Sequence, residues 1–255
     1  MKTFKMLLTI LVFNSSFLIA QDLKPEYQKF ISKFILEVKN GDKEAIAKRI
    51  KFPFKRDYPI PSVKDKADFV KRYNQIFDKV LIEKITKSDP AKDWSEVGWR
   101  GIMLNRGDMW IDIDGRIISI NNQSEEELES KNSLIAKQKK SVNSSLSNFK
   151  EPVAVLETSK FRIRIDDLGN DNYRYASWSI KQQMTETPDL VIEKGVFVAD
   201  GTGGNHYFDF KKGNFKYRCY FIVLGQKDSP PAILTVYQSG KEILSQDAIL
   251  FHDKH

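Results

Sequence analysis

From Pro25 onward, Tyr27, Phe30, Ile31, Phe34, Ile35 and Val38 recur at steps of three and one. That spacing puts them on one face of a helix, and Asn40-Gly41 marks its end. Asp42 stands where a side-chain oxygen can cap a short second helix carrying Ala45, Ile46 and Ile50. The helical pattern breaks at Phe52-Pro53-Phe54, and Tyr58, Ile60 and their flanking prolines predict an extended edge segment. A longer third helix is expected from about Asp65. Phe69, Val70, Tyr73, Ile76, Phe77, Val80 and Leu81 form its apolar stripe, and Lys71, Arg72, Asp78 and Lys79 face out. Lys87-Ser88-Asp89-Pro90 would end it.

The period then changes. Residues 94–121 hold three of the four tryptophans and read as a strand over 99–104, a turn at Asn105-Arg106-Gly107, a return over 108–113, a tight Asp114-Gly115 turn and a third strand over 116–120. Residues 123–150 are polar and rich in Ser, Asn and Lys. They predict a linker, part helical from Glu125 to Lys139, and hence a domain boundary. From Glu151 the pattern is all-β, with strands expected over 161–165, 173–178, 190–198, 206–210, 217–224, 233–237 and 242–244, and an eighth over 248–251. Turn clusters such as DDLGNDN, DGTGGN and KKGN separate them. The fold class expected is therefore α+β: an N-terminal α+β cone of helices on a curved antiparallel sheet (22–122), then an all-β antiparallel sandwich or small barrel (151–255).

The first twenty residues change the picture of where the chain works. Lys2 and Lys5 precede a mostly apolar run from Met6 to Ile19, and Ala20 supplies the small residue before a cleavage point at Gln21. The run is too short and too interrupted for a membrane span, and no cysteine follows for lipid attachment. The expectation is a signal peptide (1–20) and an exported protein, periplasmic or secreted and not lipid-anchored, with no transmembrane segment after cleavage. Cys219 is the only cysteine, so no intramolecular disulfide can form; within the apolar YRCYFIVL run it reads as a buried thiol. The formal charge is +7, and the excess lies in residues 22–123, with 21 basic against 16 acidic residues, whereas 151–255 carry 13 against 14. The excess can favour an anionic surface such as membrane headgroups or an acidic wall polymer, against the simpler reading of a solvated helical face, and without a basic cluster nucleic acid is not an expected partner.

The order of elements carries a resemblance. A first long helix, the short GDKEAIAKRI helix leading into KFPF, and KADFVKRYNQIFDKVL ahead of GWRGIMLNRGDMWID and GRIISIN resemble the cone of the SnoaL-like (nuclear transport factor-like) superfamily over residues 25–121. The resemblance implies a curved sheet with a pocket at its mouth, and an alternative activity as a hydrolase or isomerase using a pocket aspartate. Asp200-Gly201-Thr202-Gly203-Gly204-Asn205, followed by His206 and Tyr207, is faintly similar to the small-residue loop of bacterial lysozyme-inhibitor β domains, though the family's cysteine pairing is missing here. That similarity implies inhibition through the 200–206 loop.

Candidate chemistry is sparse. Trp99, Arg100, Trp110 and Asp112 are the ligand-binding candidates, because paired strands would bring aromatic walls and charges to one pocket mouth. The competing reading makes the tryptophans core and Arg100–Asp112 a cross-strand ion pair. Asp108 and Asp112 are weak catalytic candidates: a carboxylate against an apolar wall can have a raised pKa, but no His or Ser stands near them in sequence. Asp200, Gly203, Asn205 and His206 form a candidate partner loop, against the simpler reading of a hairpin turn. His206 is the only internal histidine, so no metal site is expected, and no cofactor motif appears. The function expected is non-enzymatic: a binding module of the bacterial envelope for a small molecule or cell-wall polymer, or for a protein partner.

Overall fold

The computed structural model describes residues 23–251, so the signal-peptide expectation lies outside the described residues. The chain forms two compact units: residues up to Lys51 with Phe77–Asn122, and Phe52–Ile76 with the chain from Gln123 onward.

In the first unit, α1 (Pro25–Lys39) starts with proline in its first turn and buries Ile31, Phe34 and Val38. Gly41, at φ 65°, makes the left-handed exit that a side chain would resist. Asp42 caps α2 (Lys43–Arg49) by accepting from the Ala45 N–H at 2.9 Å. The next helix of this unit is α4 (Lys79–Lys87), which buries Leu81 and Ile85. A four-stranded antiparallel sheet follows in chain order: β1 (Trp94–Glu96), β2 (Ile102–Leu104), β3 (Met109–Ile111) and β4 (Ile117–Ile120). Ile102 pairs with Ile111 and Leu104 with Met109, so one face is apolar and buried. Phe34 meets Trp94 edge-on at 6.2 Å, tying α1 to that sheet. Gly101 allows β2 to approach β3, since a Cβ there would lie 2.1 Å from the Ile111 carbonyl oxygen.

The second unit contains α3 (Lys66–Ile76), α5 (Glu125–Ser141) and eight strands: β5 (Glu151–Glu157), β6 (Phe161–Asp167), β7 (Tyr173–Ser179), β8 (Leu190–Ala199), β9 (His206–Lys212), β10 (Phe215–Phe221), β11 (Ala232–Gln238) and β12 (Lys241–Leu250). Each strand pairs antiparallel with the next. The circle closes where Ile249 and Leu250 of β12 pair with Glu157 and Leu156 of β5. Alternation sends Leu156, Ile163, Ile165, Phe208, Phe210, Cys219 and Leu234 into the barrel core. Gly195 is needed at one point of this packing, because a Cβ there would lie 2.1 Å from the Phe210 ring.

The outer face of β6 and β7 is buried as well. Trp178 and Ala176 pack there with Ile135, Val142, Leu146 and Phe149 from α5 and the segment after it. In their midst Asp166 is fully buried between two guanidiniums: Arg164 Nε donates to it at 2.7 Å and Arg174 Nη2 at 2.8 Å. Arg174 also donates to the carbonyls of Leu146 and Asn148, at 2.6 and 3.2 Å, and Arg164 to Gln138 at 2.9 Å. A second group of charges fixes α5 to the 52–58 segment. Arg56 forks onto Glu127, and Lys131 Nζ donates to Asp57 and Glu151 at 2.7 Å each.

The expected α+β cone followed by a sandwich or small barrel is thereby overturned: the described chain is mostly β, a closed eight-stranded barrel plus a four-stranded sheet, with five helices. The expected third helix breaks at Phe77-Asp78. Asp78 turns its carboxylate back to cap α4, accepting from the Leu81 N–H at 2.8 Å. α3 belongs to the second unit and α4 to the first, so the expected long third helix does not pack on the sheet as one piece. The sheet strands are three or four residues long, too short to curve round a pocket. The expected strand over 99–104 is a 3-10 turn at Gly98–Arg100 followed by β2, and 242–251 is one strand rather than two.

Replacing Asp166 by Ala should cost about 3–5 kcal/mol, because two buried guanidiniums lose their counter-charge. Urea unfolding of the full chain measures this; a loss below about 1 kcal/mol would mean that the network is not the brace described here.

Candidate functional site

Sequence alternation decides which side chains reach the barrel interior, and the two ends of the barrel use it differently. At the end where β9 begins and β10 finishes, Phe208, Phe221, His206 and Tyr173 fill the space; His206 stacks on Phe221 at 4.9 Å and 6°, and Tyr173 meets Phe208 at 4.8 Å. At the opposite end, where β6, β8, β10 and β12 begin, a cavity of about 350 Å³ opens. Its walls are aromatic: Phe161 from β6, Tyr175 from β7, and Phe215 and Tyr217 from β10. The Tyr175 and Tyr217 rings lie 5.5 Å apart, and Phe215 lies 6.5 Å from Tyr217. Leu234, Val236 and Leu244 supply aliphatic lining, and Ser177 and Asp189 the polar lining. Burial raises the Tyr175 phenol far above its usual range, so it stays protonated there as a hydrogen-bonding group.

The strand ladder changes beside the cavity. β8 pairs with β9 only over Val196–Ala199, while the stretch before it pairs only with β7. Lys194, at φ 62°, sits where that ladder loses register, between the partners of Tyr173 and Tyr175. Before this point β8 has no ladder partners on β9.

The positions singled out from the sequence lie elsewhere. Trp99 sits in the 3-10 turn, 65% exposed, with the Arg100 guanidinium 5.5 Å from its ring. Trp110 is half-buried on the sheet face with Met103 and Ser119 as its cross-strand partners. Asp112 ends that strand and shapes the turn, its Oδ1 accepting from the N–H groups of Asp114 and Arg116 at 3.1 and 2.8 Å. These four residues thus occupy a turn, a strand and a second turn. Asp108 accepts from Asn105 at 2.9 Å and pairs with Lys84 at 3.1 Å. Desolvation pushes its pKa up, but those hydrogen bonds and the lysine charge outweigh it and leave the carboxyl below its usual value. A general acid would need the opposite shift.

The 200–206 loop is fastened down. Asp200 accepts from the Tyr220 hydroxyl at 2.6 Å. Asn205 Oδ1 accepts from the N–H groups of Val223 and Leu224 at 2.8 Å each, and its amide donates to the Leu224 carbonyl at 2.9 Å. Gly203 lies against Leu224, and His206 belongs to the aromatic filling of that end. Among the described residues no three His, Cys, Asp or Glu side chains converge as a metal site would require.

No family model, curated protein or solved structure matches this chain. The cavity residues went unnoticed in the sequence, although one signal was there: the inward series Tyr173-Tyr175-Ser177 and Phe215-Tyr217-Cys219 place aromatic and small polar side chains on one face.

Two consequences can be measured. Burial raises the Cys219 thiol far above its usual range, so the native protein should not react with an aromatic disulfide reagent at mildly alkaline pH and should react once unfolded; native labelling would contradict the packing. Because the Asp108 pKa is lower folded than unfolded, its stabilising contribution is present above the ordinary carboxylate range near ~4 and is lost as pH falls through the folded value. Asp108→Asn should therefore lower stability slightly at neutral pH, by about 0.2–1 kcal/mol, and the gap should close in acid. A gap unchanged down to acid pH would contradict the lysine pairing.

Proposed function

We propose that this chain is a non-enzymatic binding protein that takes a small, largely apolar ligand into the mouth of its eight-stranded barrel. The cavity carries the reading: it is concave, walled by four aromatic rings and has few polar groups, and its volume lies toward the lower end of the ~300–1,000 Å³ typical of small-ligand sites. Apolar surface left facing water at such a mouth is unfavourable by ~25 cal/mol per Å², and an apolar ligand removes that cost. The aspartates considered for catalysis support binding over chemistry, since one is held ionised by Lys84 and the other is occupied by backbone amides. The leader-like start of the sequence supports a protein that meets its ligand outside the cytoplasm.

An anilinonaphthalene dye should bind the full chain saturably at one site. Val236→Trp, which places an indole in the cavity at a position on its lining, should reduce that binding at least tenfold while the melting temperature stays within a few degrees. If Val236→Trp binds the dye as well as the parent chain does, the barrel mouth is not the site.

A further inference from the structure

The strand register at the cavity rim places unpaired charge there. Phe215 lines the cavity, and its cross-strand partners are Lys212 on β9 and Gln238 on β11; Gln238 in turn pairs with Lys241 on β12. Directly opposed residues of antiparallel strands project to the same face. Lys212, Gln238 and Lys241 therefore share with Phe215 the face that lines the cavity, at its outermost row. Both lysines are exposed, and neither forms an ion pair among the described residues. Arg162 holds Glu157, Arg218 holds Asp209, and Lys216 lies over the Tyr237 ring, whereas Lys194 and Lys211, like the two rim lysines, form no ion pair among the described residues. Glu242 pairs with Tyr237, on the outward face. The one carboxylate lining the mouth is Asp189, at the start of β8, and its Oδ2 accepts from the Ser179 N–H at 2.9 Å.

The interior carries a second observation. Gln246 is the cross-strand partner of Leu234, which lines the cavity, so its amide shares the inward face. Its Oε1 is buried with no hydrogen-bond donor among the described residues. A buried acceptor without a partner is costly, and this one lies beside the lining residue Leu234.

We propose that the ligand is an amphipathic anion: an apolar chain that lies against Tyr175, Tyr217 and Leu234, and a carboxylate or similar acidic head held at the rim by Lys212 and Lys241, with Gln238 between them. This inference rests on the barrel mouth being the binding site and adds the charge of the ligand to it. A polar substituent partway along the chain would find Ser177. Lysine suits the head-group position, since a long flexible stem lets the ammonium follow a head group while staying in water.

Three probes sharing one chain length separate the outcomes: decanoate, decanol and decyltrimethylammonium, titrated calorimetrically into the full-length protein and into the Lys212→Gln/Lys241→Gln variant. The parent should prefer decanoate over decanol by about fivefold, the order expected of two exposed ion pairs, and added salt should shrink that preference. The double variant should bind decanol unchanged and lose the preference for the acid. Equal binding of acid and alcohol by the parent, a preference that survives in the double variant, or tighter binding of the ammonium probe would each overturn the anion assignment while leaving the cavity reading in place. If none of the three binds, and Val236→Trp makes no difference, the cavity reading falls with it.

Discussion

A carboxylate that no water reaches organises the second unit. Asp166 points out of the barrel, not into it, and it is tolerated there only because Arg164 and Arg174 face it from both sides. The main chain at Leu146 and Asn148 and the side chain of Gln138 accept from those guanidiniums, while Arg174 Nε is left buried without an acceptor among the described residues. Gln138 lies on α5, so the helix cannot swing away without stranding buried charge. The same helix turns Glu127 and Lys131 toward Arg56, Asp57 and Glu151, which recruits the 52–58 segment; α3 joins through Gln75, which donates to Glu126 at 2.9 Å. Such networks are weak evidence of net stability, since apolar replacements can do as well. Their geometric demands are strict, and they account for a helix and a loop far apart in sequence belonging to one barrel unit.

The cavity follows from a different constraint. A closed barrel of eight strands has an interior just wide enough to be filled by side chains, and the end around Phe208 and Phe221 is filled. At the other end the ladder between β8 and β9 stops near the left-handed Lys194, and the inward positions there are Ser177, Tyr175, Phe215 and Val236, which line the space without closing it. Fold and site are thus linked through one backbone irregularity, and the residues on either side of it belong to an otherwise regular alternation.

This explains what the sequence could and could not disclose. The helix stripe through Ile31, Phe34 and Val38, the Asp42 cap and most barrel strands were legible, because local periodicity and turn chemistry decide them. The break at Asp78 was not: Phe69 through Leu81 keep helical spacing across it, and only the cap hydrogen bond reveals that the helix stops and restarts. Residues 123–150 looked like a linker because the buried face of α5 carries Glu127 and Lys131 in addition to Ile135, so no apolar stripe announces it. β5 was missed behind its proline, Pro152, and β1 because it is three residues long. The cone was inferred from the order of elements, and order does not record which unit a helix joins. The tryptophans drew attention because large aromatics suggest pockets, yet Trp94 is core and Trp99 decorates a turn, while the cavity is lined by tyrosines and phenylalanines spread over three strands.

The barrel is also held unevenly, and this bears on how a ligand could enter. β12 closes on β5 through only two residue pairs, and β8 has four partners on β9 and four on β7, whereas β6 and β7 match along seven. The shortest ladder leaves its unpaired stretch on the side of the cavity: Lys241–Ala248 of β12 runs on past the end of β5. Backbone hydrogen bonds are therefore sparsest around the mouth and densest on the β6–β7 wall, where the Asp166 network adds its own restraint. Regions with few cross-strand bonds open at a fraction of the global unfolding free energy. If the barrel mouth binds a ligand as proposed, the short β12–β5 seam is where it can loosen while the Asp166 network holds the β6–β7 wall.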